Sequence, residues 1–459
     1  MSYTELHARS AFSFLEGASL PEELAVVCAE QGMAAMALLD RDGVYGAPRF
    51  YLAAKKSSLR AHIGAEVTSA EGWRYALLAV SREGYQNLCR LITRMKLRAP
   101  KGQGDVPLVE VAEHSPGLIC LTGGEEGPLA HALERGGVTE GIACVRQLCE
   151  LFGRQNVYVE MQRHFCREEE ARNQAAVGIA RKLNLPLLAT NGVCHAQPPR
   201  RQTLDVFTCI RYHKKLANAG RLLTRNAERH LKSPAKMKKL FADLPEAIAN
   251  TQELSSRLRF SLSDLGYKFP AYPVPDGGSQ IHFLRERTRD GMIFRYGSNN
   301  ERARLQIERE LAMIEKLDLA GYFLIVWDIV RFCREHNILV QGRGSAANSA
   351  VCYSLGITAV DPVGMDLLFE RFLSEERGEW PDIDLDLPSG DQRERAIQYV
   401  YQRYGRLGAA MTANVITYRG RSAAREIGKV LAFDVETINR LTRLMGAWEY
   451  KAENDTLVE

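Results

Sequence analysis

A glycine-rich turn and an acidic segment within residues 338–387 constrain this sequence more than any other feature. Residues 338–340 are apolar and predict a strand, and Gly342-Arg343-Gly344-Ser345 follows directly. The small residues after the turn predict a helix that Ser345 can cap, and the free N–H groups at such a helix end favour an anion. Because glycine lets the backbone approach a ligand closely and Arg343 adds a fixed positive charge, the turn predicts a phosphate-binding site.

Two other interpretations of the turn stay open. It lacks the GK[ST] ending of a Walker A loop but matches GxGxxA through Ala347, a pattern that also occurs in dinucleotide-binding proteins. That interpretation needs an acidic residue at the end of a second strand, about 20 residues further on. Asp361 has the distance, but Pro362 follows it and the preceding residues are weak as a strand. The third interpretation is a tight strand-to-helix connection without a ligand.

Three aspartates alternate with apolar residues between positions 382 and 387. On a strand, Asp382, Asp384 and Asp386 would share one face while the apolar residues face a core. Like charges on one face repel, so the arrangement costs stability unless cations bind. Carboxylates at this spacing can hold two Mg²⁺ ions about 3.5–4 Å apart, which predicts metal-assisted phosphoryl chemistry. An edge strand with an acidic solvent face is the alternative.

The overall composition limits the class of protein. The chain has 459 residues, too many for one hydrophobic core, so two or three domains are expected. Its net charge of +4 permits a nucleic-acid partner without requiring one. No apolar run approaches the ~20 residues that span a membrane, and the polar N-terminus has no signal-peptide core. Ten cysteines without a CxxC pair indicate reduced, mostly buried thiols in a cytoplasmic protein.

The first part of the chain alternates strand and helix patterns. Short strands are predicted at residues 35–39, 63–67, 75–80, 118–121, 157–161 and 187–190, with helices between most of them. This order predicts a mainly parallel sheet, either a barrel or an open doubly wound sheet. Polar residues near the strand ends could hold divalent metals or simply face solvent: His7, Asp40, Glu66, His164 and His195.

Residues 200–240 form the most basic segment of the chain. A solvated helical face and a phosphate-contacting surface both explain it, while the scarcity of aromatic residues argues against a base-stacking platform.

Pro270, Pro273 and Pro275 indicate a linker or domain boundary. After that boundary, helices are predicted at residues 301–316 and 322–332.

Several stretches carry a specific resemblance to a known family. QGRGSAANSAVCYSLGITAVDP, LLFERF and PDIDLDL resemble the palm of bacterial C-family DNA polymerases, the replicative DNA polymerase III alpha subunits. The Ala-Ala-Asn-Ser wording and NAERHLKSP at residues 226–234 are most similar to the error-prone, damage-tolerant paralogue of that subunit. ELHARSAFSFLEGAS, GAEV and VEMQRH resemble the polymerase-and-histidinol-phosphatase (PHP) domain of the same family. The resemblance covers essentially the whole chain.

The resemblance implies an α/β fold in four segments. These are a PHP-type distorted (β/α) barrel at 1–265, a linker at 266–280, a polymerase-beta-like nucleotidyltransferase palm at 281–412, and a truncated helical thumb at 413–459. It also implies nucleotidyl transfer from a dNTP to a primer 3′ end during damage tolerance, with Mg²⁺ as the metal. The implied partners are primer-template DNA, dNTPs, a sliding clamp and mutagenesis accessory proteins.

The roles of individual residues follow from the same resemblance. The implied triphosphate contacts are a Gly-Ser motif, the arginine before it and an arginine of the FERF stretch: Gly344, Ser345, Arg343 and Arg371. Asp382 and Asp384 match the two metal-binding carboxylates of the family. Asp386 occupies a position that the family does not always fill with aspartate, so it ranks third.

The PHP metal centre departs from the family pattern. Arg9 replaces the second histidine of a His-x-His pair, and Arg41 replaces the histidine after Asp40. A Thr-Asn-Asp-Val-His stretch is altered at residues 190–194, with His195 one place late. Because arginine stays protonated and cannot ligate a metal, we expect poor metal binding and no phosphoesterase activity at this site.

The polymerase site is also expected to be incomplete within these residues. The third catalytic carboxylate of the family would lie past Glu459, as would the fingers. This stretch alone is therefore expected not to extend a primer efficiently. A PHP-type phosphoesterase and a non-catalytic DNA-binding or scaffold fragment are the competing hypotheses.

Overall fold

The chain divides into two compact units. The structure, a computed structural model, describes residues 2–265, 271–373, 381–405 and 408–445. The first unit comprises residues 1–265 and 417–459, and the second comprises residues 266–416. Residues 266–270 of the predicted linker and residues 446–459 of the predicted thumb lie outside the described ranges.

The first unit contains a seven-stranded sheet whose strands follow one another in chain order. The strands are β1 Glu5–Ala8, β2 Ala35–Arg41, β3 Arg60–Thr68, β4 Arg74–Ala79, β5 Leu118–Leu121, β6 Val157–Met161 and β7 Leu187–Ala189. Ala8, at the end of β1, also forms a parallel bridge with Val193 just past β7. This bridge curls the sheet toward closure, so the distorted barrel expected from the sequence is confirmed.

One strand departs from the predicted parallel order. Neighbouring strands are parallel except β4, which runs antiparallel to both β3 and β5. Only residues 69–73 separate β3 from β4. A parallel pair needs a crossover of about a dozen residues or more, so this short connection forms a hairpin instead.

Helices pack against the sheet of the first unit. Up to residue 265 they are α1 Pro21–Glu30, α2 Ala47–Lys56, α3 Arg82–Arg98, α4 Leu108–His114, α5 Pro128–Phe152, α6 Arg167–Leu183, α7 Arg201–Arg211, α8 Pro234–Leu240 and α9 Pro245–Arg257. The largest core cluster joins strand residues to Leu24 of α1, Leu88 of α3 and Ile179 of α6. α5 is interrupted by non-helical φ/ψ angles at Gly136 and Gly137.

The second unit is mainly helical, with one small two-stranded sheet in its described part. Its elements are α10 Gln280–Tyr296, α11 Glu301–Lys316, α12 Ala320–Glu335, β8 Gln341–Arg343, α13 Ala350–Ser354, β9 Asp384–Asp386 and α14 Asp391–Tyr404. α11 confirms the helix predicted at 301–316, and α12 contains the one predicted at 322–332. The predicted strand at 338–340 is wrong. Ile338 is buried but Leu339 is 80% exposed, and the pairing with β9 starts only at Gln341.

The chain then returns to the first unit through α15 Gly420–Val430 and α16 Val435–Leu444. Val430 packs there against Cys209 and Ala219.

All ten cysteines are free and six of them are buried, as the sequence predicts. No helix in the described ranges is long and apolar enough to cross a membrane.

Candidate active site

The glycine-rich turn and the acidic segment lie side by side in the second unit. β8 pairs antiparallel with β9, which sets Arg343 opposite Asp384 although the two residues are far apart in the sequence. Gly344 follows with a φ of 72°, a conformation that favours glycine, and a Cβ there would lie 3.8 Å from Asp384 Oδ2. The turn and the carboxylates therefore form one continuous surface.

The apolar and acidic side chains of the segment separate onto two faces, as predicted. The side chains that pack against apolar clusters are Ile383, Leu385 and Leu387. Asp382 is exposed, and the side chains of Asp384 and Asp386 are 46% and 62% exposed. Because strand residues alternate between faces, burying the apolar residues presents the carboxylates to solvent.

Arg343 bridges two of these carboxylates. Its Nη1 lies 3.4 Å from Asp384 Oδ2, and its Nε donates to Asp386 Oδ1 at 2.9 Å. The hydrogen bond to Asp386 and the charge of Asp384 raise the pKa of Arg343. Ion pairs this exposed are worth about 0–1 kcal/mol, so a bound cation can displace the guanidinium at little cost.

The helix after the turn begins later than predicted. Residues 344–348 form a 3-10 helix, and the N-cap of α13 is Ser349, whose Oγ accepts from Cys352 N–H at 3.1 Å. The predicted capping role of Ser345 is therefore wrong. A phosphate at this turn would meet the backbone of Gly344 and Ser345 rather than the end of a long helix.

A buried glutamate already occupies the N-terminus of α13. Glu310 of α11 accepts from the N–H groups of Ala350 and Val351, both at 3.0 Å, and from the Ser349 hydroxyl at 2.8 Å. Burial raises the pKa of Glu310, although these hydrogen bonds lower it. Its position in the apolar stripe of α11, beside Leu311, is the sequence signal that could have identified it.

A second buried carboxylate positions the helix that follows the acidic strand. Asp328 of α12 accepts from the hydroxyls of Tyr399 and Tyr404, at 2.7 and 2.8 Å, and from Arg331 at 2.6 Å. Burial would raise the pKa of Asp328, but these hydrogen bonds lower it. Both tyrosines belong to α14, the helix that follows β9, so Asp328 holds α14 against α12.

Two other residues singled out in the sequence, Arg371 and Asp361, lie in the same unit. Arg371 ends a 3-10 helix, Phe369–Arg371, that contacts the 3-10 helix of the glycine-rich turn, and its side chain is exposed. Asp361 accepts from Tyr296 OH at 2.8 Å and from the N–H of Val363 at 3.0 Å, and residues 344–360 contain no strand that could end at it. Its carboxylate is thus used to shape a turn, which argues against the dinucleotide interpretation.

In the first unit, His7 lies between two buried carboxylates. Its Nε2 is 2.6 Å from Glu66 Oε1, and its Nδ1 is 2.7 Å from Glu160 Oε1. Burial alone would lower the pKa of His7, but the charges of Glu160 and Glu66 raise it to about 10. A protonated imidazole therefore holds the two acids together at neutral pH.

Arginine side chains occupy the rest of this polar cluster. Arg9 Nε lies 2.7 Å from Glu66 Oε2, and its Nη2 pairs with Glu126. Arg74 Nη1 lies 2.7 Å from Glu16 Oε2 and 3.1 Å from Glu126 Oε2. Since a guanidinium cannot ligate a metal, these pairs place fixed positive charges where a metal centre needs free carboxylates.

The other predicted ligands of this centre have different partners. Burial raises the pKa of Asp40 to about 6, against the hydrogen bonds from two serines. His164 Nδ1 lies 2.7 Å from Glu169 Oε1, and His195 Nδ1 lies 2.9 Å from Gln197 O. Within the described ranges, no group of three or more His, Cys, Asp or Glu side chains is arranged to hold a metal ion.

Two family models match this chain, one in each half. The PHP domain matches residues 5–164, and the bacterial DNA polymerase III alpha NTPase domain matches residues 282–458. An error-prone DNA polymerase of Mycolicibacterium paratuberculosis is 42% identical over 98% of this chain and 42% of its own length. The error-prone DNA polymerase of Anaeromyxobacter dehalogenans strain 2CP-C is 38% identical over 97% of this chain and 46% of its own length.

The chain spans less than half the length of these curated relatives. Among solved structures, a putative metal-dependent phosphoesterase from Bifidobacterium adolescentis covers 41% of this chain and 86% of its own, with 14% identity and a TM-score of 0.29. A likeness this low carries no argument about function.

The paired carboxylates around His7 make the stability of the first unit depend on pH. Because the folded pKa of about 10 lies above the ordinary value, His7 stabilises the fold fully below about pH 6.5 and loses that contribution as pH rises through 10. We expect the unfolding free energy of the unaltered chain to exceed that of His7→Gln by a few kcal/mol at pH 6.5, and the difference to shrink by pH 10.5. Urea titrations of the unaltered chain and of His7→Gln at each pH measure this difference in unfolding free energy. A difference that stays constant from pH 6.5 to 10.5 would contradict the prediction.

Proposed function

Since the chain belongs to the family of bacterial DNA polymerase III alpha subunits, we propose that the whole protein is an error-prone DNA-directed DNA polymerase acting in translesion synthesis. The observation that carries this proposal is the β8–β9 pairing, which sets the Gly344–Ser345 turn beside Asp384. The primer 3′ hydroxyl would attack the alpha phosphate of a dNTP, forming a phosphodiester bond as pyrophosphate leaves.

The carboxylates suit a divalent metal, which the family implies and which we propose to be Mg²⁺. Mg²⁺ usually takes one or two protein carboxylates and completes its shell with waters and substrate phosphates. Asp382 and Asp384 are accessible and offer such a pair, with Asp386 as a third candidate. When bound, the metal activates the attacking hydroxyl and stabilises charge on the leaving oxygen.

The residues of this chain bind and orient the nucleotide. The N–H groups of Gly344 and Ser345 would donate to the triphosphate, because the positive φ of Gly344 leaves the backbone open to close approach. Arg343, released from Asp384 and Asp386, would pair with the same phosphates. Arg371 would add a second guanidinium from the neighbouring 3-10 helix.

The remaining assignments are also proposals. We keep residues 1–265 as the PHP domain, 266–280 as a linker, 281–412 as the palm and 413–459 as the start of the thumb. Primer-template DNA, dNTPs, a sliding clamp and mutagenesis accessory proteins are the proposed partners. A PHP-type phosphoesterase is not favoured, because Arg9 and Arg74 hold the carboxylates that such a centre would use.

Neutralising one carboxylate tests the metal role. In the whole protein, we expect Asp384→Asn to lower dNTP incorporation at least about 100-fold while primer-template affinity stays unchanged. Asp366→Asn is the matched control, since Asp366 is exposed and pairs only with Arg302 within the described ranges. Single-turnover extension and fluorescence anisotropy measure the two quantities. Unchanged extension by Asp384→Asn would refute the role of that residue.

Substituting the turn glycine tests the phosphate role. Gly344→Ala puts a Cβ on a residue with φ of 72°, which costs about 1–2 kcal/mol and crowds the approach of the triphosphate. We expect the KM for dNTP to rise about tenfold. Gly297→Ala also puts a Cβ on a residue with positive φ, 78°, but with nothing within 4 Å of that Cβ, and it should leave KM unchanged. Equal KM values for the two variants would contradict the proposal.

A further inference from the structure

A basic loop in the first unit takes no part in the glycine-rich turn and acidic segment described above. Residues 206–227 contain five Lys or Arg residues and no Asp or Glu. Two of the five are paired, Arg211 with Glu16 and Arg225 with Glu168. The three that remain are exposed and make no ion pair with any described residue: Lys214, Lys215 and Arg221.

The loop is ordered by its own packing. Cys209 and Ala219 are buried, and the N–H of Lys214 donates to the carbonyl of Cys209 at 2.9 Å. Tyr212 is 46% exposed, with the guanidinium of Arg211 5.2 Å from the centre of its ring. The cationic side chains are thus presented from a fixed backbone rather than from a tail.

α15 extends the basic character next to this loop. Arg421, Arg425 and Lys429 recur every fourth residue, which places them along one helix face, and all three are exposed. On the buried side of the helix, Val430 packs against Cys209 and Ala219. We call these six side chains the basic surface: Lys214, Lys215, Arg221, Arg421, Arg425 and Lys429.

These two segments carry a large net positive charge, whereas the rest of the chain is net negative. Residues 417–430 contain four Lys or Arg residues and one Glu, so this segment and 206–227 together carry +8. The chain as a whole carries +4, so all other residues together carry −4. Concentrating like charge at one place costs stability through repulsion, and an anionic partner offsets that cost.

We propose that the basic surface binds the phosphate backbone of DNA, outside the site of nucleotidyl transfer. The proposal rests on the proposed function, which supplies DNA as the polyanion. Lysine is depleted from protein–protein interfaces, whereas Lys and Arg are the usual phosphate contacts, so the composition favours nucleic acid over an acidic protein. Such contacts are independent of base sequence and weaken as salt rises.

Neutralising the loop tests the proposal in the whole protein. The variant carries Lys214→Gln, Lys215→Gln and Arg221→Gln together, and its affinity for primer-template DNA is measured by fluorescence anisotropy at several salt concentrations, without dNTP or metal. We expect about a tenfold loss of affinity near 0.1 M salt, and a log–log salt slope that is shallower by about 2 to 3.

A matched control removes the same charge elsewhere in the same unit. Lys55 and Lys56 at the end of α2 and Lys101 after α3 are exposed and lie outside the basic segment 200–240, and their triple change to Gln should leave affinity and slope unchanged. Equal behaviour of the two triple variants would overturn the proposal. Asp384→Asn separates this failure from failure of the proposed function, because that variant reports on incorporation while the loop variant reports on DNA binding alone.

Discussion

The candidate site depends on one short antiparallel pairing. β8 and β9 have three residues each, and isolated pairs of this length are at best marginally stable in water. Their position is therefore set by what surrounds them. The N–H of Gly342 donates to Ile357 O at 2.7 Å, and the N–H of Ile383 donates to Tyr322 OH at 2.9 Å. Glu310 and Asp328 then fix the helices that follow the two strands, so two buried carboxylates orient a site whose own carboxylates are exposed.

Clustered acidic residues are buried in the first unit and exposed in the second. In the first unit, Glu66 and Glu16 are buried and paired with arginine, and breaking such a pair leaves an uncompensated charge that costs about 3–5 kcal/mol. In the second unit, Asp384 and Asp386 share an exposed arginine that contributes little to stability. A divalent metal can exchange into the second arrangement but not readily into the first. This contrast favours the second unit as the place of the proposed chemistry and a structural role for the acidic cluster of the first.

Local patterns in the sequence were sufficient to predict several helices and which side chains of the acidic segment face the core. The alternation at residues 382–387 predicts which side chains face the core, and the apolar stripe at 301–316 predicts α11. Strand order and direction depend on connection length, which is why the reversal of β4 followed from the hairpin and not from its own residues.

Long-range partners could not be read from the sequence. The apolar stripe of α11 indicates that Glu310 is buried, but it does not reveal that Glu310 accepts from the N-terminus of α13 or that Ser349, not Ser345, is the N-cap. Likewise, the arginine residues at positions 9 and 41 predict the altered PHP centre, but the roles of Glu126 and Arg74 appear only when the strand ends meet.

The central claim is that Asp384 holds a metal beside a phosphate-binding turn. Replacing its carboxylate by a thiolate tests this directly, because thiolates prefer softer metals than Mg²⁺. In the whole protein, Asp384→Cys should be inactive with Mg²⁺ alone and should recover incorporation when Cd²⁺ or Mn²⁺ is added, while the unaltered protein gains nothing from Cd²⁺. Full activity of Asp384→Cys with Mg²⁺ alone, or an identical response of both proteins to each metal, would contradict the account.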